Sequence, residues 1–295
     1  MAATINVNGR VSDQEHAVVL VFDHGFLYGE GVYETLRTYN GQPFLFVRHM
    51  RRLRKSADML ALAIPLSDAE IAARFRETQK AAALAGEAYI RILVTRGVGE
   101  LTYDPAACPN PTIVVIVKPH VNPPAEVFEK GVRVSLVPVV RNHPGSVSPL
   151  IKSNNLLNNA LAMQQALRAG GFEGVMRNHR GELAELTQSN LFIVKDGAAL
   201  TPPVEAGLLP GITREFLFEL GAEHGLPVRE AVLRDADLLG ADEAFLTSTT
   251  RELVPIVRVD DRTIGSGTPG PITKALLGHF RAAADRLTRP TVQAQ

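Results

Sequence analysis

Apolar and polar positions change period several times along the chain, and each change marks an element. From about Thr4 to Phe22 the pattern predicts two short strands around a Gly9-Arg10 turn. Val32 to Tyr39 alternates as a strand, Asn40-Gly41 is a hairpin turn, and Gln42 to Phe46 reads as the return strand. From Arg48 to Ala63 the period becomes helical, with Met50, Leu53, Ala57 and Leu60 on one face. Ser67-Asp-Ala-Glu70 is a capping box that opens a second helix, to about Leu84. Ala88 to Thr95 and the β-branched run Thr112 to Val117 read as strands, joined by a Gly/Pro-rich loop.

Lys118-Pro-His-Val-Asn-Pro-Pro124 interrupts the pattern, because clustered prolines stiffen a connector and cannot join a central sheet. The expected domains are therefore residues 1–120, a linker over 121–132 that includes a short helical segment to Lys130, and residues 133–295. Beyond the linker come a strand from Gly131 to Val140, a helix from about Asn155 to Arg168, and a hairpin from Gly174 to Asn178 and from Glu182 to Lys195. A helix opening at Gly211-Ile-Thr-Arg and ending near Gly225 follows, then strands at 228–233 and 243–247, a hairpin over 254–264 and a last helix from about Ile272 to Leu287. The tail after Arg289 reads as frayed. Strands and helices mix without regular βαβ alternation, so the expected class is α+β in two domains.

Composition narrows the field mainly by exclusion. The 295 residues carry no net formal charge, with 45% apolar and 21% charged side chains, so neither nucleic acid nor an acidic membrane is an expected partner. One cysteine, Cys108, rules out an intrachain disulfide framework and suits a cytoplasmic protein. No apolar run reaches spanning length and no secretory pattern is visible at the start. Metal-binding spacings, a P-loop and a nucleophile elbow are absent, so no metal is expected. The glycines at 25, 29 and 31 lack dinucleotide-binding spacing and precede a strand.

What remains is a lysine, a set of anion-ready groups and a carboxylate. Lys152, in Ser148-Pro-Leu-Ile-Lys-Ser-Asn-Asn155, is expected at a strand-to-helix junction, where partial burial disfavours the ammonium. Most lysines are solvated, and this one stands out only in company. A neutral amine is what Schiff-base chemistry needs. Arg52 can grip a phosphate bidentately, although a basic run such as Arg48 to Lys55 is ordinarily a solvated face. Gly211-Ile212-Thr213 opens a helix whose free N–H groups favour an anion, and Thr247-Ser-Thr-Thr250 ends a strand in hydroxyls. By alternation Glu185 shares a strand face with Leu183 and Thr187; buried, it needs a partner. Lysine, phosphate groups and carboxylate together suggest pyridoxal 5'-phosphate.

The motifs behind these residues are long and ordered: Gly29-x-Gly-Val-Tyr-Glu-x-x-Arg37, His49-x-x-Arg52-Leu, Ile151-Lys-Ser153, Glu185-x-x-x-Ser-Asn190, Gly211-Ile-Thr-Arg214 and Phe245-Leu-Thr-Ser-Thr249. In them the chain resembles the class IV, fold type IV, aminotransferases over about Val21 to Leu277. The resemblance implies a smaller α/β domain and a larger pseudo-barrel domain, and a homodimer or higher homo-oligomer. It implies that Lys152 is the Schiff-base lysine and moves the substrate proton, and that Glu185 pairs with the pyridine nitrogen. Arg52, Ile212, Thr213 and Thr249 match the phosphate contacts. Tyr33, Arg91, Tyr103 and Thr250 are expected on the substrate side. Ala88-Tyr-Ile-Arg91 and Arg262-x-Ile-Gly-x-Gly-x-Pro-Gly-Pro are most similar to branched-chain aminotransferases, which implies an L-branched-chain amino acid and 2-oxoglutarate as substrates. Leu101 and Tyr103 stand where some D-amino-acid transaminases carry an arginine–histidine carboxylate trap. Thr35, Leu157, Ser248 and Thr250 lean instead toward the D-amino-acid side, which keeps D-amino-acid or (R)-amine transamination and aminodeoxychorismate lyase as alternatives.

Overall fold

β-branched strands that are apolar on alternate positions need a cover on one face, and helices with an apolar stripe supply it. The computed structural model describes residues 3–289, so the tail from 290 onward lies outside the described residues. Contacts gather the chain into two units. The first comprises residues up to Val121, Ile151–Asn155 and residues from Ala284; the second comprises Asn122–Leu150 and Leu156–Ala283.

The first unit contains β1 (Thr4–Val7), β2 (Arg10–Asp13), α1 (His24–Leu27), β3 (Gly31–Tyr39), β4 (Gln42–Pro43), α2 (Phe46–Asp58), α3 (Asp68–Ala82), β5 (Ala88–Thr95) and β6 (Thr112–Pro119). Its six strands form one antiparallel sheet in the order β2-β1-β6-β5-β3-β4. Val32, Leu36, Ile90, Ile92, Val94, Val115 and Val117 point to one face and pack with Met50, Leu53 and Ala57 of α2 and Ile71 and Phe75 of α3. The Ser67–Glu70 capping box forms as its spacing predicts. Two expectations fail here. The stretch from Ala17 to Phe22 is not a strand, and the return strand after Asn40-Gly41 stops at Pro43 because Leu45, with φ 51°, turns the chain into α2.

The second unit contains α4 (Ala125–Lys130), β7 (Val132–Leu136), α5 (Leu157–Arg168), β8 (Gly174–Arg177), β9 (Leu183–Leu186), β10 (Asn190–Lys195), β11 (Ala198–Thr201), α6 (Ile212–His224), β12 (Val228–Glu230), α7 (Asp235–Leu239), β13 (Glu243–Ser248), β14 (Glu252–Val259), β15 (Arg262–Thr263) and most of α8 (Pro271–Thr288). The sheet runs β12-β11-β10-β13-β14-β7-β8-β9, with β15 on β14. β9 is an edge strand of this ladder, yet only Thr187–Ser189 separates it from β10 near the other edge, so the sheet must curl back toward itself. Val134, Val175, Leu183, Leu191, Leu246 and Val254 fill the core, and Val127 and Phe128 of α4, expected in the connector, pack against it. The single strand expected over 182–195 is broken at 187–189, where side chains and backbone bond to Glu173.

Candidate functional site

Lys152 does not sit at a strand-to-helix junction: β7 ends at Leu136 and α5 begins only at Leu157. The Ile151–Asn155 segment instead runs along the edge of β3. Tyr33 N donates to Lys152 O at 2.9 Å, Asn154 N donates to Gly31 O at 2.9 Å, and Val32 bridges to Ser153. Lys152 N donates to Ser56 Oγ of α2 at 3.1 Å. Gly31 makes this approach possible, since a Cβ there would stand 2.6 Å from Asn154 Nδ2 and 2.9 Å from Val94 O. The lysine is thus fixed by its backbone, and its side chain reaches over β3.

There Lys152 Nζ lies 4.4 Å from the centre of the Tyr33 ring, and the Arg91 guanidinium lies 4.0 Å from the same ring. Sheet register explains the pairing. Thr35 opposes Arg91 and Tyr33 opposes Leu93, so Tyr33 and Arg91 are diagonal neighbours on one face. Two cations over one aromatic ring are each attracted to its quadrupole, and they concentrate positive charge where an anionic substrate would be drawn. Tyr103 lies in the loop between β5 and β6. It is 85% exposed, and its ring lies 5.1 Å from that of Tyr28.

The other face of β3 carries a buried carboxylate. Glu34 is fully buried between Val32 and Leu36 and receives Arg52 in a fork, Nε to Oε1 at 2.7 Å and Nη2 to Oε2 at 2.8 Å. His49 Nδ1 lies 2.6 Å from Glu34 Oε2. His49 and Arg52 are three apart on α2, so both face the sheet. Burial by itself would raise the Glu34 carboxyl, but the charges and hydrogen bonds of Arg52 and His49 hold it at about 2. Burial pushes His49 down, against the opposing pull of the Glu34 carboxylate. In the sequence Glu34 and His49 stand out only as motif positions, with no role attached. A glutamate on the apolar face of an alternating strand was the available signal, since it needs a cation opposite. Arg54 has a different partner, Asp68, at 2.8 Å from its Nε.

In the second unit Glu185 is buried on β9 and accepts from Arg141 Nε at 2.7 Å, Leu209 N at 3.1 Å and Asn190 Nδ2 at 3.5 Å. Arg141, itself buried, also reaches Asn158 Oδ1 at 3.3 Å, and nothing in the sequence pattern had singled it out. Asn190 ties Glu185 to the start of α6, for it donates to Leu209 O at 2.9 Å and its Oδ1 would stand 2.0 Å from a Cβ on Gly211. Gly211 offers no side-chain cap, so the first N–H groups of α6, at Ile212 and Thr213, form the positive end of the helix without a capping side chain. Thr247 opposes Asn190 across β10 and β13, which puts both on one face, and its buried Oγ1 has no partner. Thr249 and Thr250 follow, half-buried, in the turn before β14. Each unit therefore presents its own set: Lys152, Tyr33, Arg91 and Arg52 in the first, and Glu185, Ile212, Thr213, Thr249 and Thr250 in the second.

The residues match known proteins along nearly their whole length. The family model for amino-transferase class IV matches residues 31–259. A protein of Methanocaldococcus jannaschii named "Putative branched-chain-amino-acid aminotransferase" is 42% identical over 277 residues, covering 94% of this chain and 95% of that one. D-alanine aminotransferase of Bacillus licheniformis is 35% identical over 271 residues, covering 90% and 92%. The crystal structure of the branched-chain amino acid aminotransferase of Escherichia coli superposes with a TM-score of 0.92 at 32% identity, over 99% of this chain and 98% of that one. The matched stretch begins on β3, beside which Lys152 is held, and ends with β14, beyond Glu185 and the α6 N-terminus. By sequence, fold and the residues so placed, the chain belongs to the class IV aminotransferases.

Proposed function

We propose that this protein is a pyridoxal 5'-phosphate-dependent transaminase that moves the amino group of an L-branched-chain amino acid to 2-oxoglutarate. The observation that carries the reading is Lys152, held by backbone bonds along β3 with its amine over Tyr33. The residues present suit the cofactor. The uncapped start of α6 and the unpartnered Thr247 hydroxyl suit a phosphate, and a buried carboxylate at Glu185 suits a protonated ring nitrogen. When bound, pyridoxal 5'-phosphate supplies a carbonyl for an amine and a ring that withdraws electrons from the substrate Cα.

Lys152 Nζ is the amine that would hold the cofactor through its carbonyl, and the same amine, once free, would serve as the base and acid for the proton on the substrate Cα. Glu185 would pair with the protonated ring nitrogen, and Arg141 holds its carboxylate in place through Nε at 2.7 Å. Ile212 N, Thr213 and Thr249 are the groups that would hold the phosphate, and Arg52, whose guanidinium Glu34 fixes in one orientation, is a further candidate donor to it. Tyr33, Arg91, Tyr103 and Thr250 face the substrate, with Arg91 offering a cation to a substrate carboxylate. A second reading, D-amino-acid or (R)-amine transamination or cleavage of aminodeoxychorismate, is favoured by the similarity to D-alanine aminotransferase and by Thr35, Leu157, Ser248 and Thr250.

Matched L- and D-leucine decide between them. Following the cofactor absorbance in the first half-reaction, L-leucine should convert it and D-leucine should not. Conversion by D-leucine alone replaces the first reading with the second. A lyase would release pyruvate from aminodeoxychorismate without an amino acceptor.

Among the described residues no helix is long and apolar enough to cross a membrane, and we place the protein in the cytoplasm, where its free Cys108 is at home. The same proposal includes a homodimer. Val18, Val19, Leu20, Val21, Phe22 and Phe26 are exposed and carry no charge among them. So large an apolar strip is a binding surface, and a second copy presents the same uncharged strip in return. Light scattering should give twice the chain mass of 31.9 kDa, and Leu20→Glu should shift the protein toward monomer. A monomeric wild type at micromolar concentration removes this part of the proposal.

A further inference from the structure

Glu173 and Arg251, both in the second unit, have no part in the roles given above. Glu173 is fully buried just before β8, and its carboxylate accepts from Thr187 Oγ1 at 3.0 Å, Gln188 N at 2.8 Å and Ser189 Oγ at 2.8 Å. Arg251 Nη2 stands 2.5 Å from Glu173 Oε1 and also donates to Ser189 Oγ at 2.9 Å. From the other end of the guanidinium, Nε reaches Ser248 Oγ at 3.4 Å, and the group lies 5.3 Å from the centre of the Phe172 ring. A carboxylate this deeply buried is stable only with a charge partner and satisfied lone pairs. This one has both.

The pair joins two turns. One, Thr187–Ser189, separates Glu185 on β9 from Asn190 on β10. The other lies between β13 and β14 and contains Thr249 and Thr250. That second turn is tight: Ser248 already opposes Glu252 in the ladder, and Glu252 has φ +59°, a left-handed conformation that a side chain resists. The ladder closes the ends of this turn, and Arg251 reaches Ser248 at one of those ends and Ser189 in the opposite turn.

We propose that the Glu173–Arg251 pair is a positioning device for the turn that carries Thr249 and Thr250, so that grip on the phosphate end of the cofactor depends on it. This rests on the reading of Thr249 as a phosphate contact. An oxyanion is bound well only by donors already in place, since ordering them during binding subtracts from affinity. Glu173 neutralises Arg251, so the arginine acts through the turn and not as a phosphate ligand. The two roles differ in sign. If Arg251 held phosphate itself, Glu173→Gln would release the guanidinium and tighten binding; if the pair positions the turn, the same change weakens it.

The test compares pyridoxal 5'-phosphate with pyridoxal, which lacks the phosphate, in absorbance titrations of the full-length protein freed of cofactor. Melting temperatures are recorded alongside. Arg251→Ala should weaken the phosphorylated ligand about tenfold, the loss of one charge-assisted bond's worth of organisation, and leave pyridoxal within about twofold. Thr249→Val should lower the same ratio, and Glu173→Gln should shift it in the same direction. Should Glu173→Gln fail to fold, Ser189→Ala takes its place with the same expectation. Equal weakening of both ligands by Arg251→Ala, or tighter phosphate binding in Glu173→Gln, overturns the proposal. If Thr249→Val lowers the ratio and Arg251→Ala does not, positioning alone fails. If Thr249→Val leaves the ratio unchanged, the phosphate reading of Thr249 is wrong and the proposal goes with it.

Discussion

Lys152→Ala should lower transamination by at least about a thousandfold while leaving the fold in place, because one side chain is asked to supply both the covalent attachment and the proton transfer. The small structural effect follows from how the lysine is held. Its segment is fastened through backbone groups, Lys152 O to Tyr33 N and Lys152 N to Ser56 Oγ, and alanine keeps both. Only the ammonium over the Tyr33 ring is lost, a contact worth about 0.5–1 kcal/mol at a partly exposed site. Steady-state rates and melting curves of the same preparation check the two halves together. Turnover within tenfold of wild type would remove Lys152 from the chemistry. A collapsed melting temperature would mean that the edge of β3 depends on the side chain.

Glu185→Gln should combine loss of activity with loss of stability, and the two should separate on a second substitution. Glutamine keeps the volume and can still accept from Leu209 N, but it leaves the buried Arg141 guanidinium without its carboxylate. Breaking a buried pair from one side costs about 3–5 kcal/mol, most of it the penalty of the stranded charge. Replacing Arg141 by methionine as well removes that charge, so the double variant should melt closer to wild type than Glu185→Gln does. Activity should not return with stability, since the amide cannot hold a proton on the cofactor ring nitrogen, and a loss of roughly a hundredfold is expected for removing one electrostatic partner in a preorganised site. Recovery of both in the double variant would make Glu185 a structural residue. Denaturant titration and initial rates on the wild type and the two variants supply the comparison.

Much of the fold was legible because it is written in local periodicity. The capping box at Ser67, the hairpin at Asn40-Gly41 and the strand Ala88–Thr95 formed where the pattern placed them. Ala17 to Phe22 is as apolar as a strand yet exposed, and 182–195 is continuous in pattern yet broken at 187–189. The break at 187–189 is set by Glu173, a partner outside the strand, and periodicity within a window cannot report such a partner. The five-residue α7 went unread for a related reason, being too short to establish a period.

The same division holds for the site. The sequence alone determined the chemical inventory: a lysine between small polar residues, a helix opened by Gly211 and a run of hydroxyls after β13, in motifs long enough to point to one family. Only the tertiary structure decided what each group faces. Lys152 lies along the edge of β3 because Gly31 has no Cβ to keep the segment away. Arg52 is oriented by Glu34, Glu185 by Arg141, and the turn at Thr249 by Arg251 and Glu173. These carboxylate–arginine pairs join residues well separated along the chain, and burial gives them their strength by removing competing water. A charge in a sequence carries no mark of whether it will be buried, or of which opposite charge will meet it.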